Sequence, residues 1–304
     1  MMRITVGLVL ILLFLTAIIV LAQRRGTAES PKVPDGITVH RDLSYVTDGH
    51  ERQKLDLYVP DTGENLPLVI WIHGGAWRGG DKKNYIRMEY LKAGYAGASI
   101  NYRLCQHAIF PTQIEDVKAA VRWLRANAET YRLDPNLFAA WGSSAGGHLV
   151  AMLGTAGDVD EFEVGENLEV SSRVQAVVDY FGPTDFLQMD AQSLPDGLVH
   201  DSPDSPESQL VGGPIQKHKD RVARANPITY VSEDDSPFLI IHGDRDKLVP
   251  YQQSVLLKDA LEKAGVPVTF YKVEGGGHGW FRDPKVPELT KAFLEKHLKP
   301  TKSQ

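Results

Sequence analysis

The chain has 304 residues, of which 42% are hydrophobic and 24% charged, a composition that excludes a disordered, collagen-like or multi-span membrane protein. Its 33 basic and 39 acidic residues give a net charge of −6, which argues against nucleic acid as the main partner because a phosphate-binding surface has to be basic. The single cysteine, Cys105, excludes a disulfide within the chain.

The first element in chain order is an apolar run over residues 4–22, in which Thr5 and Thr16 carry the only hydroxyl groups. Two interpretations are open: a signal peptide cleaved near Ala22, or an uncleaved membrane anchor at the lower length limit for spanning about 30 Å of hydrocarbon. A buried core helix fits poorly, because such a helix seldom lacks a polar face over this length. We expect export to the periplasm or the exterior after cleavage, or else anchoring with the folded domain outside the cytoplasm.

Residues 23–53 are predicted to form a linker and a first strand, and residues 54–304 one α/β domain. In that domain short apolar runs alternate with helical periodicity, the pattern of a mostly parallel central sheet with helices on both faces. Strands are predicted over residues 54–59, 66–72, 97–101, 137–141, 176–180, 237–241 and 268–273. Helices are predicted over residues 84–93, 112–131, 145–155, 251–264 and 287–297.

One segment, residues 185–226, interrupts this alternation. It has few apolar runs and contains Pro195, Pro203, Pro206 and Pro214. A loop longer than about 12–15 residues in a compact domain is usually a functional lid or a disordered segment. We expect a short lid-like insertion, and a floppy surface excursion is the alternative.

The strongest chemical signal is the segment Gly142-Ser143-Ser144-Ala145-Gly146, which follows a predicted strand and precedes a predicted helix. A Gly-x-Ser-x-Gly segment in this setting is typical of a sharp turn that exposes a nucleophilic serine. The pattern predicts Ser144 as the nucleophile. Ser143, at the x position, is the competing residue.

A serine hydroxyl is a weak nucleophile unless a base activates it and an acid orients the base. His278 lies in a glycine-rich loop after the last predicted strand, and Asp246 follows the strand over residues 237–241. Both therefore reach the carboxyl edge of the sheet that also carries Ser144. Asp244 is the rival acid at this point. The ten histidines show no metal-ligand spacing such as His-Glu-x-x-His, so we predict neither a metal nor another cofactor.

A second glycine-rich segment, His73-Gly74-Gly75-Ala76-Trp77, follows the strand predicted over residues 66–72. Glycines let backbone amides approach a tetrahedral intermediate closely. We expect the amides of Gly74, Gly75 and Ala145 to form an oxyanion hole, with His73 bracing the loop.

These motifs together resemble the α/β-hydrolase superfamily, and within it the esterase/lipase branch with a His-Gly-Gly-x-Trp oxyanion loop. The resemblance runs from about residue 54 to residue 298 and includes Asn101-Tyr102-Arg103-Leu104 and Ala225-Asn226-Pro227. It assigns the acid to Asp246 rather than Asp244, in the segment His242-Gly243-x-x-Asp246. The branch includes carboxylesterases and feruloyl- or acetyl-ester hydrolases of plant polysaccharides, which implies a serine esterase working through an acyl-enzyme.

The short insertion differs from the mostly helical cap of several lipases, which favours esters of small to medium acyl size, either small molecules or polysaccharide-linked. Trp77, Phe186 and Trp280 are candidate pocket residues, and a core position is the alternative for each. Two other functions remain open. One is a dipeptidyl-peptidase-like serine peptidase, and the other is a non-catalytic, membrane-tethered binding module, which the presence of all three triad residues disfavours.

Overall fold

The computed structural model describes residues 33–84, 88–279 and 281–298. The predicted signal or anchor segment, residues 4–22, and the candidate pocket residue Trp280 lie outside the described residues. Among the helices that the structure describes, none has the length and apolar character needed to cross a bilayer.

A central sheet organises the domain, with spatial order β1-β2-β4-β3-β5-β6-β7-β8. Strand β2 runs antiparallel to both β1 and β4. The other neighbouring pairs are parallel: β4–β3, β3–β5, β5–β6, β6–β7 and β7–β8. The strands are β1 (Ile37–Ser44), β2 (Lys54–Pro60), β3 (Leu66–Ile72), β4 (Ala96–Ile100), β5 (Leu133–Ser143), β6 (Ala176–Tyr180), β7 (Phe238–Gly243) and β8 (Val268–Val273). The predicted mostly parallel sheet is confirmed.

The helices follow the predicted order but differ in length. The described ones are α1 (Met88–Lys92), α2 (Thr112–Ala126), α3 (Ala145–Thr155), α4 (Met189–Gln192), α5 (Pro206–Val211), α6 (Lys219–Arg224), α7 (Gln252–Lys263) and α8 (Lys285–Leu298). The helix expected over residues 112–131 ends at Ala126, and turns continue from there to Arg132. The sequence pattern predicted too long a helix because apolar side chains in these turns continue at nearly helical spacing.

Helices cover both faces of the sheet, as the alternation of side chains along each strand requires. On β3, Leu68, Ile70 and Ile72 point into a core shared with α2, α3 and α7. Val69 and Trp71 point the other way, into a second core shared with α1 and α8. Every residue of β3 is therefore buried, which explains the continuous apolar run in its sequence.

The insertion over residues 185–226 is packed rather than floppy, so the excursion alternative is wrong. It forms short helices, and many of its apolar side chains are buried against the first core, whereas Leu198 and Val199 are exposed. The buried ones include Phe186, Met189, Leu210, Val211, Ile215 and Val222. At its end the carbonyl of Ala225 accepts a 2.7 Å hydrogen bond from Nε2 of His148 in helix α3. The insertion is thus tied to the helix that follows Ser144.

Candidate active site

Ser144 lies in the sharp turn between β5 and α3. Its backbone has φ 56° and ψ −123°, a conformation that an L-residue adopts only when its surroundings impose it. The amide of Ser144 donates to the carbonyl of Tyr180 at 2.9 Å, and the Ser144 carbonyl accepts from the amide of His148 at 3.0 Å. These two bonds hold the serine at the carboxyl edge of the sheet.

The glycines on either side of Ser144 are required by close backbone approach. A Cβ atom at Gly142 would collide with the carbonyl of Gly146, and a Cβ atom at Gly146 would collide with the carbonyl of Ile72. The turn therefore has no room for a side chain at either position. This explains the Gly-x-Ser-x-Gly spacing in steric terms.

Three side chains form a hydrogen-bonded chain at this edge. Oγ of Ser144 lies 2.9 Å from Nε2 of His278, and Nδ1 of His278 lies 2.7 Å from Oδ2 of Asp246. Because a carboxylate can only accept hydrogen bonds, Nδ1 carries the proton and donates a hydrogen bond to Asp246. This leaves Nε2 free to accept a hydrogen bond from the Ser144 hydroxyl. The structure thus brings together Ser144, Asp246 and His278.

Asp246 is buried and fully satisfied. Its Oδ1 accepts from the amides of Leu248 and Val249 at 2.8 and 3.0 Å, and its Oδ2 also lies 3.2 Å from Nε2 of His242. Burial alone would raise the pKa of the carboxyl group, but hydrogen bonds from His242 and His278 outweigh it and hold the pKa well below its usual range. The group is therefore an anion at neutral pH.

The rival residues of the sequence analysis occupy other positions. Oδ1 of Asp244 accepts from the amide of Gly275 at 2.7 Å, and Asp244 makes no contact with His278 in the described structure. Ser143 is the last residue of β5, and its hydroxyl makes no hydrogen bond to His278. Neither rival takes part in the hydrogen-bonded chain.

His73 braces the glycine loop that faces Ser144. Its ring stacks on Tyr102 at a centroid distance of 4.5 Å, and its Nδ1 donates to the carbonyl of Gly74 at 2.8 Å. Nε2 then accepts from the guanidinium of Arg52 at 3.1 Å. Burial lowers the pKa of His73 to about 4, so the ring is neutral and keeps this one tautomer.

The same loop carries amides without acceptors. The N–H groups of Gly74, Gly75 and Ala145 donate to no atom in the part of the chain that the structure describes. A Cβ atom at Gly74 would lie 2.7 Å from the carbonyl oxygen of Ser143 and 3.2 Å from Cβ of Ser144, so the loop packs directly on the serine turn. Free donors beside a serine hydroxyl suit the binding of an oxyanion.

A cavity of about 270 Å³ opens at Ser144 and His278. The residues that line it are mostly apolar, and they include Trp77, which the sequence analysis named as a candidate pocket residue. For Phe186 the structure corrects that expectation. Its side chain is fully buried and does not line the cavity. The centroid of its ring lies 5.6 Å from that of Trp77 and 5.3 Å from that of His148. The other lining residues are Ala76, Arg78, Ala145, Pro183, Leu198, Pro206, Glu207, Leu248 and Val249.

Sequence reasoning missed three residues here. His242 was read only as part of the acid segment, and its contact with Asp246 becomes visible only when the strand end and the following loop are folded together. Glu207 and His200 lie in the insertion, where no periodicity or motif marks them. The described residues contain no cluster of three or more His, Cys, Asp or Glu side chains arranged to hold a metal.

Comparison with known proteins assigns the chain to a family. The BD-FAE family model matches residues 55–261. The probable carboxylic ester hydrolase LipM of Mycobacterium tuberculosis is 32% identical over 259 residues, which cover 81% of this chain and 58% of LipM. A solved structure of a truncated carbohydrate esterase from gut microbiota is 36% identical with a TM-score of 0.79, covering 88% of this chain and 99% of that one.

A second mycobacterial relative, the esterase LipC, is 35% identical over 220 residues, which cover 70% of this chain and 53% of LipC. The chain thus spans just over half the length of these two curated relatives. The family match extends from strand β2 into helix α7 and includes both Ser144 and Asp246. The chain belongs to the BD-FAE family and has the α/β-hydrolase fold of its esterase relatives.

Proposed function

We propose that the protein is a serine esterase that hydrolyses carboxylic esters of small to medium acyl size. One observation carries this proposal: the hydrogen-bonded chain from Ser144 through His278 to Asp246 opens into a cavity lined by apolar groups. The same three residue types in this geometry serve as nucleophile, general base and orienting acid in unrelated folds. The esterase relatives support the same conclusion.

In the first half of the proposed reaction, Nε2 of His278 accepts the proton of Ser144 as Oγ attacks the ester carbonyl. Asp246 holds the tautomer and stabilises the imidazolium that forms. The amides of Gly74, Gly75 and Ala145 bind the oxyanion of the tetrahedral intermediate. His278 then protonates the leaving alcohol, and an acyl group remains on Ser144.

In the second half, a water molecule gives its proton to His278 and attacks the acyl-enzyme. The second tetrahedral intermediate uses the same oxyanion donors, and its collapse returns the proton to Oγ of Ser144 and releases the acid.

The cavity sets the proposed substrate size. Its volume of about 270 Å³ is just below the range of roughly 300–1,000 Å³ that accommodates drug-sized ligands. Short acyl chains fit this space better than long ones. The gut-microbiota relative is described as a carbohydrate esterase, and we extend that substrate class to this chain as polysaccharide-linked esters beside small-molecule ones.

A substrate series tests the proposal. Purified protein should hydrolyse 4-nitrophenyl acetate and butyrate faster than esters of longer acids, and Ser144→Ala should abolish this turnover while Ser143→Ala keeps it. No turnover above the Ser144→Ala background would contradict the proposal and favour a non-catalytic binding module. Preferential cleavage of a dipeptidyl 4-nitroanilide would favour the peptidase alternative.

We also propose, from the apolar run over residues 4–22, that the domain lies outside the cytoplasm, either released or anchored. N-terminal sequencing of the natively expressed protein and its distribution between soluble and membrane fractions test this. A new N-terminus near residue 23 is the expected result. An intact N-terminus in the cytoplasmic fraction would contradict export.

A further inference from the structure

The insertion places a buried acid and a buried histidine beside the cavity. Glu207, in helix α5, is 3% exposed and lines the cavity that contains Ser144. His200 is 1% exposed, and its Nδ1 lies 3.1 Å from Oε1 of Glu207. Oε2 of Glu207 has no hydrogen-bond partner in the described residues, and neither ring nitrogen of His200 has one, because the 3.1 Å approach of Nδ1 to Oε1 lacks hydrogen-bond geometry.

The fold holds this pair firmly. Both oxygens of the Asp190 carboxylate accept backbone hydrogen bonds, from the amide of His200 at 2.6 Å and from that of Asp201 at 2.9 Å. Helix α5 is capped by Ser205, whose hydroxyl oxygen accepts from the amide of Ser208 at 3.1 Å. The two residues are therefore fixed by the main chain of the insertion.

A buried carboxyl oxygen without a hydrogen-bond partner is costly, because removing a polar group from water is repaid only by hydrogen bonds inside the protein. Buried polar atoms without partners are rare in folded proteins, and each needs an explanation. The explanation here lies in the position of Glu207 on the wall that a substrate contacts. A donor group on the substrate would give the carboxyl group of Glu207 a hydrogen bond that the described residues do not supply.

We propose that Glu207, which lies beside His200, is a substrate-binding residue that accepts a hydrogen bond from a free hydroxyl group on the alcohol part of the ester. The inference rests on the proposed esterase function and assigns one residue to the recognition of the alcohol part. Because one small cavity contains Glu207 and Ser144, the hydroxyl lies only a few bonds from the ester carbonyl. The apolar walls, including Leu198 and Leu248, offer no competing acceptor side chain.

The chemistry of this contact predicts a strict preference. A site built to bind a substrate hydroxyl rejects an analogue without it, because the buried polar group then stays unpaired. Leaving a buried polar group without its hydrogen bond costs enough to change kcat/KM by about ten- to hundredfold. Since the contact forms in the bound ester and in the transition state alike, its loss raises KM more than it lowers kcat.

The test compares 2-hydroxyethyl acetate with 2-methoxyethyl acetate, in which a methyl group replaces the hydroxyl hydrogen and so removes the donor. Wild-type protein should prefer the hydroxy ester by about ten- to hundredfold in kcat/KM. In Glu207→Leu this ratio should fall to near one, chiefly through KM, and in Glu207→Gln it should be intermediate. Asp204→Asn, which removes an exposed carboxylate three residues away, is the matched control and should keep the wild-type ratio.

Several outcomes would overturn the inference. An equal loss for both esters in Glu207→Leu would show a structural role only. A Glu207-dependent preference confined to ethyl 3-hydroxybutyrate over its methoxy analogue would place the hydroxyl on the acyl part. A stronger Glu207-dependent preference for acetylcholine would make the site a cation site. Turnover of 4-nitrophenyl acetate checks the esterase function separately, because that ester has no hydroxyl group.

Discussion

Asp246→Asn is the substitution for which the structure gives the clearest expectation. The amide replaces one carboxylate oxygen by an NH₂ donor. The side chain keeps its remaining oxygen toward the amides of Leu248 and Val249, because turning it round would leave both of these without an acceptor. The NH₂ group then faces Nδ1 of His278 and forces that nitrogen to become an acceptor.

This change moves the imidazole proton to Nε2, where it faces the Ser144 hydroxyl, and the base can no longer accept the serine proton. In triads of this type the same acid-to-amide change lowers kcat by about 10⁴ with the geometry intact. That factor corresponds to about 5.5 kcal/mol of lost transition-state stabilisation. We expect a loss of this size for Asp246→Asn, with KM changed far less.

The assay is steady-state hydrolysis of 4-nitrophenyl acetate, with circular dichroism to check folding. Asp244→Asn is the matched control, since Asp244 contacts the amide of Gly275 and not His278, and it should stay within a few-fold of wild type. A folded Asp246→Asn variant that loses less than about tenfold would refute the tautomer argument. So would an Asp244→Asn variant that loses as much.

Three further predictions follow from contacts of the site. Gly74→Ala should lower kcat by about 10²–10³ because its Cβ meets the carbonyl of Ser143, whereas Gly79→Ala, with its nearest neighbour at 4.0 Å, should change kcat little in the same assay. Ser144→Ala and His278→Ala should each cost about 10⁶ in kcat, and a double variant that lost far more would disprove joint action. Burial lowers the pKa of His148 to about 4, so the folded state loses stability as the pH falls from about 6.5 to 4 while the unfolded chain takes up the proton. In His148→Gln the free energy of unfolding should fall by up to about 3 kcal/mol less over this pH range than in the wild type. Urea unfolding of both proteins at pH 7 and pH 4.5 measures this difference, and an equal fall in both would contradict the prediction.

The sequence predicted the framework of the site because local geometry dictates it. Gly142 and Gly146 are fixed by collisions that any side chain would cause, and these steric constraints appear directly in the residue pattern. The order of the strands then brings Asp246 and His278 to the edge that carries Ser144. Local sterics and topology together were sufficient to find these residues.

The insertion could not be read in this way. Its order comes from contacts with distant parts of the chain, such as Phe186 packing on Trp77 and His148. Its helices are too short for a periodic pattern to appear. For the same reason Glu207 and His200 carried no signal, since only the folded insertion brings them together at the cavity.

The carboxylate of Asp246 serves the fold as well as the base. It holds the turn through the amides of Leu248 and Val249 and binds the buried ring of His242, and none of these contacts depends on His278. A variant of this chain without Ser144 or His278 would therefore keep the structural contacts of Asp246. Under the proposed mechanism, an aspartate in this segment is by itself no sign of catalysis, whereas the pair formed by Ser144 and His278 is specific to it.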